Sequence, residues 1–318
     1  MGRGEGIPFD NPPQTTERPL VVDGARVLVG TTSWSERTLV HESRWYPRRT
    51  MKAAERIAYY SSRFPLVEMD ATSRFPPTPD LARQWVERTP EGFTIDIQAW
   101  NLLTGAAALP DSLWEDLREE VRPELRDRRR LYLGHLSDAG RTEAWDRFGH
   151  ALRPLHDAGR LGAVILRYPY WLRPGETGRG LLREARARLP DVDLAVELHN
   201  PHWLVDRVCE ETLGFLEELH LGFVCVDPLD GLPVVATTTD LAVVRFSGRN
   251  PGNWEDPELS TPERYAYRYS ADELSAWVRP VRELAGTAAE VHLLFANTYR
   301  DDAVTNAAEL AALLQVVG

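Results

Sequence analysis

Lysine is almost missing from this chain: Lys52 is the only one among 37 basic residues. A Schiff-base mechanism needs a desolvated lysine in its site. Lys52 falls in a helical pattern, so class I aldolase and pyridoxal-phosphate chemistry are disfavoured. Cysteine is scarce as well. Cys209 and Cys225 lie in a helical and a strand pattern, read as small core residues, and suggest a reducing cytoplasm rather than a disulfide framework. No apolar run approaches the ~18–20 residues needed to cross a bilayer. Positive charge is in deficit: the formal charge of −11 argues against a protein that tracks nucleic-acid phosphates. A Gly-rich phosphate loop, a nucleophile elbow and a Cys-x-x-Cys pair are all lacking. The expectation is a cytoplasmic protein acting on a small molecule, with no cofactor, no nucleic acid and no membrane partner. Residues 1–26, with Gly2, Gly4, Gly6, Pro8, Pro12, Pro13 and Pro19, read as an extended or disordered arm; residues 27–318 read as one domain.

What the chain does have is a set of eight short apolar runs, each ending in a polar residue. They are Val27–Ser33, Leu66–Asp70, Phe93–Gln98, Gly162–Arg167, Asp193–His199, Gly222–Asp227, Leu241–Ser247 and Glu290–Asn297. Most are nearly continuous in apolar character, the pattern of parallel strands covered on both faces. Helical spacing fills most of the gaps, and eight strands alternating with helices predict a single α/β domain, a (β/α)8 TIM barrel. In that fold chemistry sits at the carboxyl ends of the strands. Thr78-Pro79-Asp80 opens a helix with Leu81, Trp85 and Val86 facing inward. The longest insertion, Asn101 to Leu161, is expected to hold helices over Asp111–Val121 and Glu143–His156. Leu131–Leu136 within it reads as a loop or edge segment. A second insertion, Gly248 to Tyr269, is expected to cover the pocket and contact substrate through Arg249, Asn250 and Trp254.

Side chains alternate across a strand, so Glu68 and Asp70 share a face, as do Asp96 and Gln98, Glu197 and His199, Arg245 and Ser247. An unpaired acid is costly to bury, and Arg167 and Arg245 are available as partners. The expected interior cluster is Glu68, Asp70, Asp96, Glu197, Asp227, Arg167 and Arg245, with Gln98, His199 and Asn297. Such a cluster either fixes the barrel through buried ion pairs or forms a site, and its number of acids favours a site. His199-Asn200-Pro201-His202 beside Glu197 and Asp227 invites a metal reading, but the spacing is no specific motif and no metal is expected. Trp34, Trp100, Tyr168, Tyr170, Trp171 and Trp203 follow strand ends, where aromatics serve as plugs or as stacking walls for a ligand.

At these strand ends the chain resembles a bacterial family, domain of unknown function 72, also called YecE-like. The similar stretches include Gly30-Thr31-Thr32-Ser33-Trp34, Val67-Glu68-Met69-Asp70-Ala71-Thr72, Ala195 through Trp203, Val244-Arg245-Phe246-Ser247-Gly248-Arg249-Asn250 and Val291 through Asn306. The resemblance runs from about Val27 to the end and implies a TIM barrel, but supplies no reaction. Glu68, Asp70, Glu197, Asp227, Arg245 and Asn297 match the family pattern. Gln98 stands where the family usually has lysine, Arg167 in place of glutamine, His199 in place of arginine, Ser247 in place of histidine, and Ala296 in place of asparagine. The acids are kept while basic and donor groups are exchanged, which favours a changed substrate over simple loss of activity.

The leading expectation is metal-independent acid–base chemistry on a small polar or anionic substrate: hydrolysis, isomerisation or elimination. Its catalytic residues would be Glu68, Asp70, Glu197, His199, Asp227 and Arg245. Ser33, Trp34, Gln98, Arg167, Tyr168, Asn200, Trp203, Ser247, Arg249, Asn250, Trp254 and Asn297 would bind substrate. The alternatives are a divalent-metal barrel enzyme and a non-catalytic ligand-binding protein.

Overall fold

The computed structural model describes residues 18–229, 231–250 and 258–316. Its strands are β1 (Leu20–Val22), β2 (Ala25–Thr31), β3 (Leu66–Met69), β4 (Thr94–Gln98), β5 (Leu161–Tyr168), β6 (Leu194–Leu198), β7 (Gly222–Val226), β8 (Leu241–Phe246) and β9 (Glu290–Phe295). From β2 to β9 each strand pairs in parallel with the next, and β9 returns to β2 through pairs such as Val27↔Val291. The result is a closed eight-stranded parallel barrel with flanking helices, a (β/α)8 TIM barrel.

Both faces of the strands are buried, which is why the apolar runs are continuous rather than alternating. The inner face packs Leu28, Leu66, Ala163, Ile165, Ala195, Val224, Val243 and Leu294. Val27, Val67, Ile95, Val164, Val196, Val244 and Phe295 belong to the core outside the barrel wall. At Gly30 the wall has no room for a side chain, since an added Cβ would lie 2.1 Å from the Leu66 carbonyl oxygen. Six of the polar terminators, Ser33, Asp70, His199, Asp227, Ser247 and Asn297, lie just beyond their strands, on the carboxyl rim.

The helix at Pro79–Arg88 starts where the sequence places it, with Thr78 Oγ1 accepting from Leu81 N at 3.2 Å. Its buried face is Ala82 and Trp85, whereas Leu81, expected inward, is 38% exposed. The expected helix at Asp111–Val121 shortens to Glu115–Glu119 after a single turn at Pro110–Ser112, because Leu113 adopts an extended conformation between them. The next helix is longer than its periodicity suggests, Asp138–Asp157, because Ser137 caps it by accepting from Gly140 N at 3.0 Å. Leu131 and Leu136 make only isolated bridges, to Ala108 and Val121, so this segment edges the insertion and is not a barrel strand.

Two local features depart from the regular barrel. Leu20–Val22, within the expected N-terminal arm, is a strand antiparallel to β2, with Leu20 opposite Val27 and Val22 opposite Ala25. Asp23 and Gly24 turn the chain with φ of 48° and 93°, the positive values that a two-residue hairpin needs and Asp-Gly supplies. The second feature is a bulge in β5. Ile95 pairs with Leu161 and Ile97 with Val164, so Gly162 and Ala163 together oppose Asp96. The Asp96 Oδ1 atom accepts from Ala163 N at 2.7 Å and so satisfies the amide that the bulge displaces.

Candidate active site

Glu68, Arg167, Glu197, His199 and Arg245 converge at the carboxyl end of the barrel. They stand on β3, on β5, on β6, one residue past β6, and on β8. Arg245 lies between the two glutamates: its Nη1 donates to Glu68 Oε2 at 2.5 Å, and its Nε is 3.5 Å from Glu197 Oε2. Glu197 Oε1 accepts from Arg167 Nε at 3.0 Å and meets His199 Nε2 at 2.5 Å. Arg167 Nη2 lies 3.3 Å from the same imidazole nitrogen. The shorter contact needs a proton between His199 Nε2 and the carboxylate, so Nε2 is the donor towards Glu197.

Burial rises steeply along this chain of contacts. Side-chain exposure falls from 38% at His199 and 23% at Arg167 to 3% at Glu197 and Arg245 and 0% at Glu68. Of these five side chains, His199 and Arg167 are the ones that reach solvent. At the inner end of the cluster, Glu68 Oε1 and Glu197 Oε2 are buried without a hydrogen-bond partner, as is Arg245 Nε. Orphaned buried acceptors are rare and call for an explanation.

The two glutamates answer burial in opposite ways. Desolvation pushes the Glu68 carboxyl up to about 7, because Arg245 opposes it only in part. Burial would raise Glu197 too, but Arg167, then Arg245 and His199, outweigh it and hold that carboxyl far below the usual range. Burial would loosen the proton of Arg245, yet Glu68 and Glu197 overcome this and keep the guanidinium charged. Asp70, one residue past β3, is raised by burial against the pull of Arg245. One carboxyl thus holds a proton near neutrality while its neighbour is an anion.

Asp227 and Asn297 are not part of this cluster. On β7 the interior face carries Val224 and Val226, so Asp227 points outward. There its carboxylate accepts from Arg249 Nε at 2.9 Å and Nη2 at 2.6 Å, from Tyr269 Oη at 2.8 Å and from Trp277 Nε1 at 2.8 Å. Asn297 likewise follows the outward Phe295 and donates to Tyr267 O and Asn306 Oδ1, at 2.8 and 3.0 Å. Arg249, expected to hold substrate, is bound to Asp227; Asn250 donates to Ala266 O at 3.4 Å, and Trp254 lies outside the described residues.

Other expected contacts turn out to be supports. Tyr168 and Trp203 are each 1% exposed and donate to carbonyls of Leu181 and Leu172, so they are core braces. Asn200 ties its own turn to Tyr170 O and His202 N. Gln98 and Ser247 share the interior face with the cluster, and neither side chain makes a hydrogen bond among the described residues. Ser33 is half-buried, with its Oγ accepting from Ser35 N, and Trp34 donates to Met69 Sδ at 3.4 Å.

Asp96, expected in the same cluster, turns to the opposite end. Its Oδ2 lies 2.9 Å from His292 Nδ1, and His292 Nε2 lies 2.8 Å from Glu290 Oε1. Glu290 in turn meets Arg26 at 2.7 Å. Burial alone would lower His292, but Asp96 and then Glu290 push it up to about 10, so the ring is an imidazolium donating from both nitrogens. His292, Glu290 and Arg26 line a 1220 Å³ cavity at the amino end, bordered also by Thr238, Asp240, His220 and Arg186. The sequence signal for His292 was available: Glu290, His292 and Leu294 share one face of a strand, and two polar residues there need each other.

The comparisons with known proteins agree with this architecture. Over 299 residues, 91% of this chain and 95% of the relative, it is 28% identical to the UPF0759 protein YunF of Bacillus subtilis. A DUF72 family protein of Thermotoga maritima superposes with a TM-score of 0.70 at 25% identity, covering 91% of this chain and 99% of that one. A DUF72 family protein of Enterococcus faecalis gives 0.71 at 23% identity, covering 91% and 95%, and speaks for the fold alone. Since residues 28–317, the whole barrel, match the family described as Protein of unknown function DUF72, the chain belongs to that family.

Proposed function

We propose that this barrel is an enzyme of metal-independent acid–base chemistry, acting on a small polar substrate at the carboxyl end. The observation that carries this reading is the pair of buried glutamates pushed apart in proton affinity across one arginine. Environments that separate two carboxyls in this way assign an acid and a base. Glu68, in its carboxylic form, delivers a proton to the oxygen on which negative charge develops. Glu197 removes one, and Arg245 between them stabilises that negative charge. The orphaned Glu197 Oε2 atom asks for a hydrogen-bond donor, whereas Glu68, whose Oε2 already accepts from Arg245, presents its proton from the orphaned Oε1 and asks for an accepting oxygen. The reacting end of the substrate therefore carries both, as a hydroxyl or a carbonyl beside a hydroxyl or amino group does.

Arginine on both carboxylates supports the metal-independent form of the reading. Two guanidiniums occupy the first contacts of Glu197 and one that of Glu68, and their positive charge repels a divalent cation. Asp227, expected as a catalytic residue, is left out of this assignment, because four donors already engage it on the outer side of the wall. The test is turnover across hydrolase, isomerase and lyase substrate panels by the wild type, Glu68→Gln and Glu197→Gln. Loss of about a hundredfold or more in kcat for each variant is expected, the scale of a lost general acid or base. Turnover that persists in both variants, or that disappears with a chelator and returns with a divalent metal, overturns the assignment.

A further inference from the structure

In the structure Glu197 is a well-formed anion but a poor base. Its Oε1 atom is shared between Arg167 Nε at 3.0 Å and His199 Nε2 at 2.5 Å, and a carboxylate held by such donors gives up hydrogen bonds if it takes a proton. These same two side chains are the most exposed of the five and lie between Glu197 and solvent on their side of the rim. A ligand that takes a hydrogen bond to Glu197 Oε1 must therefore engage or displace them.

We propose that the substrate carries an anionic group, a carboxylate or a phosphate, that docks on Arg167 and His199 and, by drawing them from Glu197, turns that carboxylate into the proton acceptor. The inference rests on the acid–base reading above and adds the substrate class and the event that switches the base on. Its geometry is specific. The Nε edge of Arg167 faces Glu197, while Nη2 is turned towards the half-exposed His199. An anion bridging Nη2 and the imidazole competes with Glu197 for the His199 Nε2 proton and pulls the same guanidinium whose Nε holds Glu197, and a guanidinium favours a planar or tetrahedral oxyanion over water. Arg245 stays behind with Glu68 at 2.5 Å and keeps the interior neutralised. The gate prevents an idle base from exchanging protons with water when no substrate is present.

Inorganic phosphate and acetate serve as probes, titrated calorimetrically into the wild type, Arg167→Gln, His199→Gln and Glu197→Gln. Competition predicts that Arg167→Gln weakens binding about tenfold or more, and that Glu197→Gln strengthens it by about the same factor, or about 1.4 kcal/mol. Whichever probe binds more tightly identifies the phosphate or the carboxylate as the substrate's anion. A second readout is the carbon-13 carboxyl resonance of Glu197, whose titration midpoint should rise by about one pH unit or more in saturating probe. Arg167 and His199 are partly exposed, so their variants keep the test alive if Glu197→Gln fails to fold. Binding of neither probe, or binding that Arg167→Gln leaves unchanged, overturns the proposal. The Glu68 titration and the turnover of the glutamate variants judge the acid–base reading separately.

Discussion

Replacing Glu68 by glutamine removes a titrating group from the buried inner end of the site while keeping its shape. The Glu68 carboxyl moves from an ordinary 4.5 to about 7 on folding, which corresponds to roughly 3 kcal/mol at about 1.4 kcal/mol per pH unit. Its folded value is raised, so the folded protein binds the proton more tightly than the unfolded chain does. Below pH 4.5 both states are protonated and stability is at its fullest for this group. Between 4.5 and 7 the unfolded chain ionises first and stability falls; above 7 the whole loss is present. The glutamine variant has no such dependence. The unfolding free energy of Glu68→Gln minus that of the wild type should therefore climb by roughly 3 kcal/mol from about pH 4 to about pH 8. Subtraction removes the contributions of groups common to both proteins, His292 and Glu290 among them. Urea denaturation followed by tryptophan fluorescence, with matching slopes checked at each pH, reads the difference directly. A difference that stays flat, or that falls with pH, would mean that Arg245 overrides burial and that Glu68 is an anion in the neutral protein. The proton donor of the proposed chemistry would then be gone.

Two further outcomes follow from the same electrostatics. His292 is raised from 6.5 to about 10, so its contribution is complete below 6.5 and is lost as pH climbs towards 10. His292→Gln should abolish that decline and, near neutrality, cost about 3–5 kcal/mol by leaving the buried Asp96 carboxylate without its cation, while Glu290 keeps Arg26. A pH series of denaturation curves checks both, and equal slopes in the two proteins would argue against the imidazolium. Asp227→Asn removes the negative charge and turns an amide donor towards side chains that are themselves donating. We expect a loss of about 2–4 kcal/mol in stability, with the Glu68 carboxyl midpoint unchanged because Asp227 faces the other side of the wall. A Glu68 midpoint that moves with this substitution in a carbon-13 titration would place Asp227 back among the interior charges.

The strand count, and with it the fold, was legible because each strand is buried on both faces and so carries an uninterrupted apolar run. That same continuity hides which way each residue faces. Glu68, Glu197, Arg245 and Arg167 could be grouped because their charges had to find one another. Asp227 and Asn297 were grouped with them on rim position alone, and nothing apolar around them reveals that Val226 and Ala296, not they, continue the inner face. The outward partners of Asp227 come from Arg249, Tyr269 and Trp277, up to 50 positions away, and no local pattern announces such a contact. The hairpin at Leu20–Val22 is legible in Asp23-Gly24, a turn signal that the glycines and prolines before it mask. Alternation puts Asp96 on the inner face, as found, but does not say which end its carboxylate faces. That is set by the bulge, whose one mark in the sequence is Gly162, a glycine inside a strand pattern where a Cβ would lie 2.3 Å from Asp96 Oδ1.

That bulge sets the phase of everything above it on β5. Counting from Leu161, strict alternation would put Tyr168 on the inner face and send Arg167 out among the helices. The extra residue opposite Asp96 reverses the count, so that Ala163, Ile165 and Arg167 look inward and Tyr168 braces the outer core. Asp96 holds the displaced amide, and His292 holds Asp96. A buried imidazolium at the foot of the barrel thus helps to decide which side chain of β5 greets a ligand at its mouth. Were the bulge smoothed out with every residue kept, the register above it would slip by one and exchange a guanidinium for a phenol there, unmaking the site without the loss of a single functional residue.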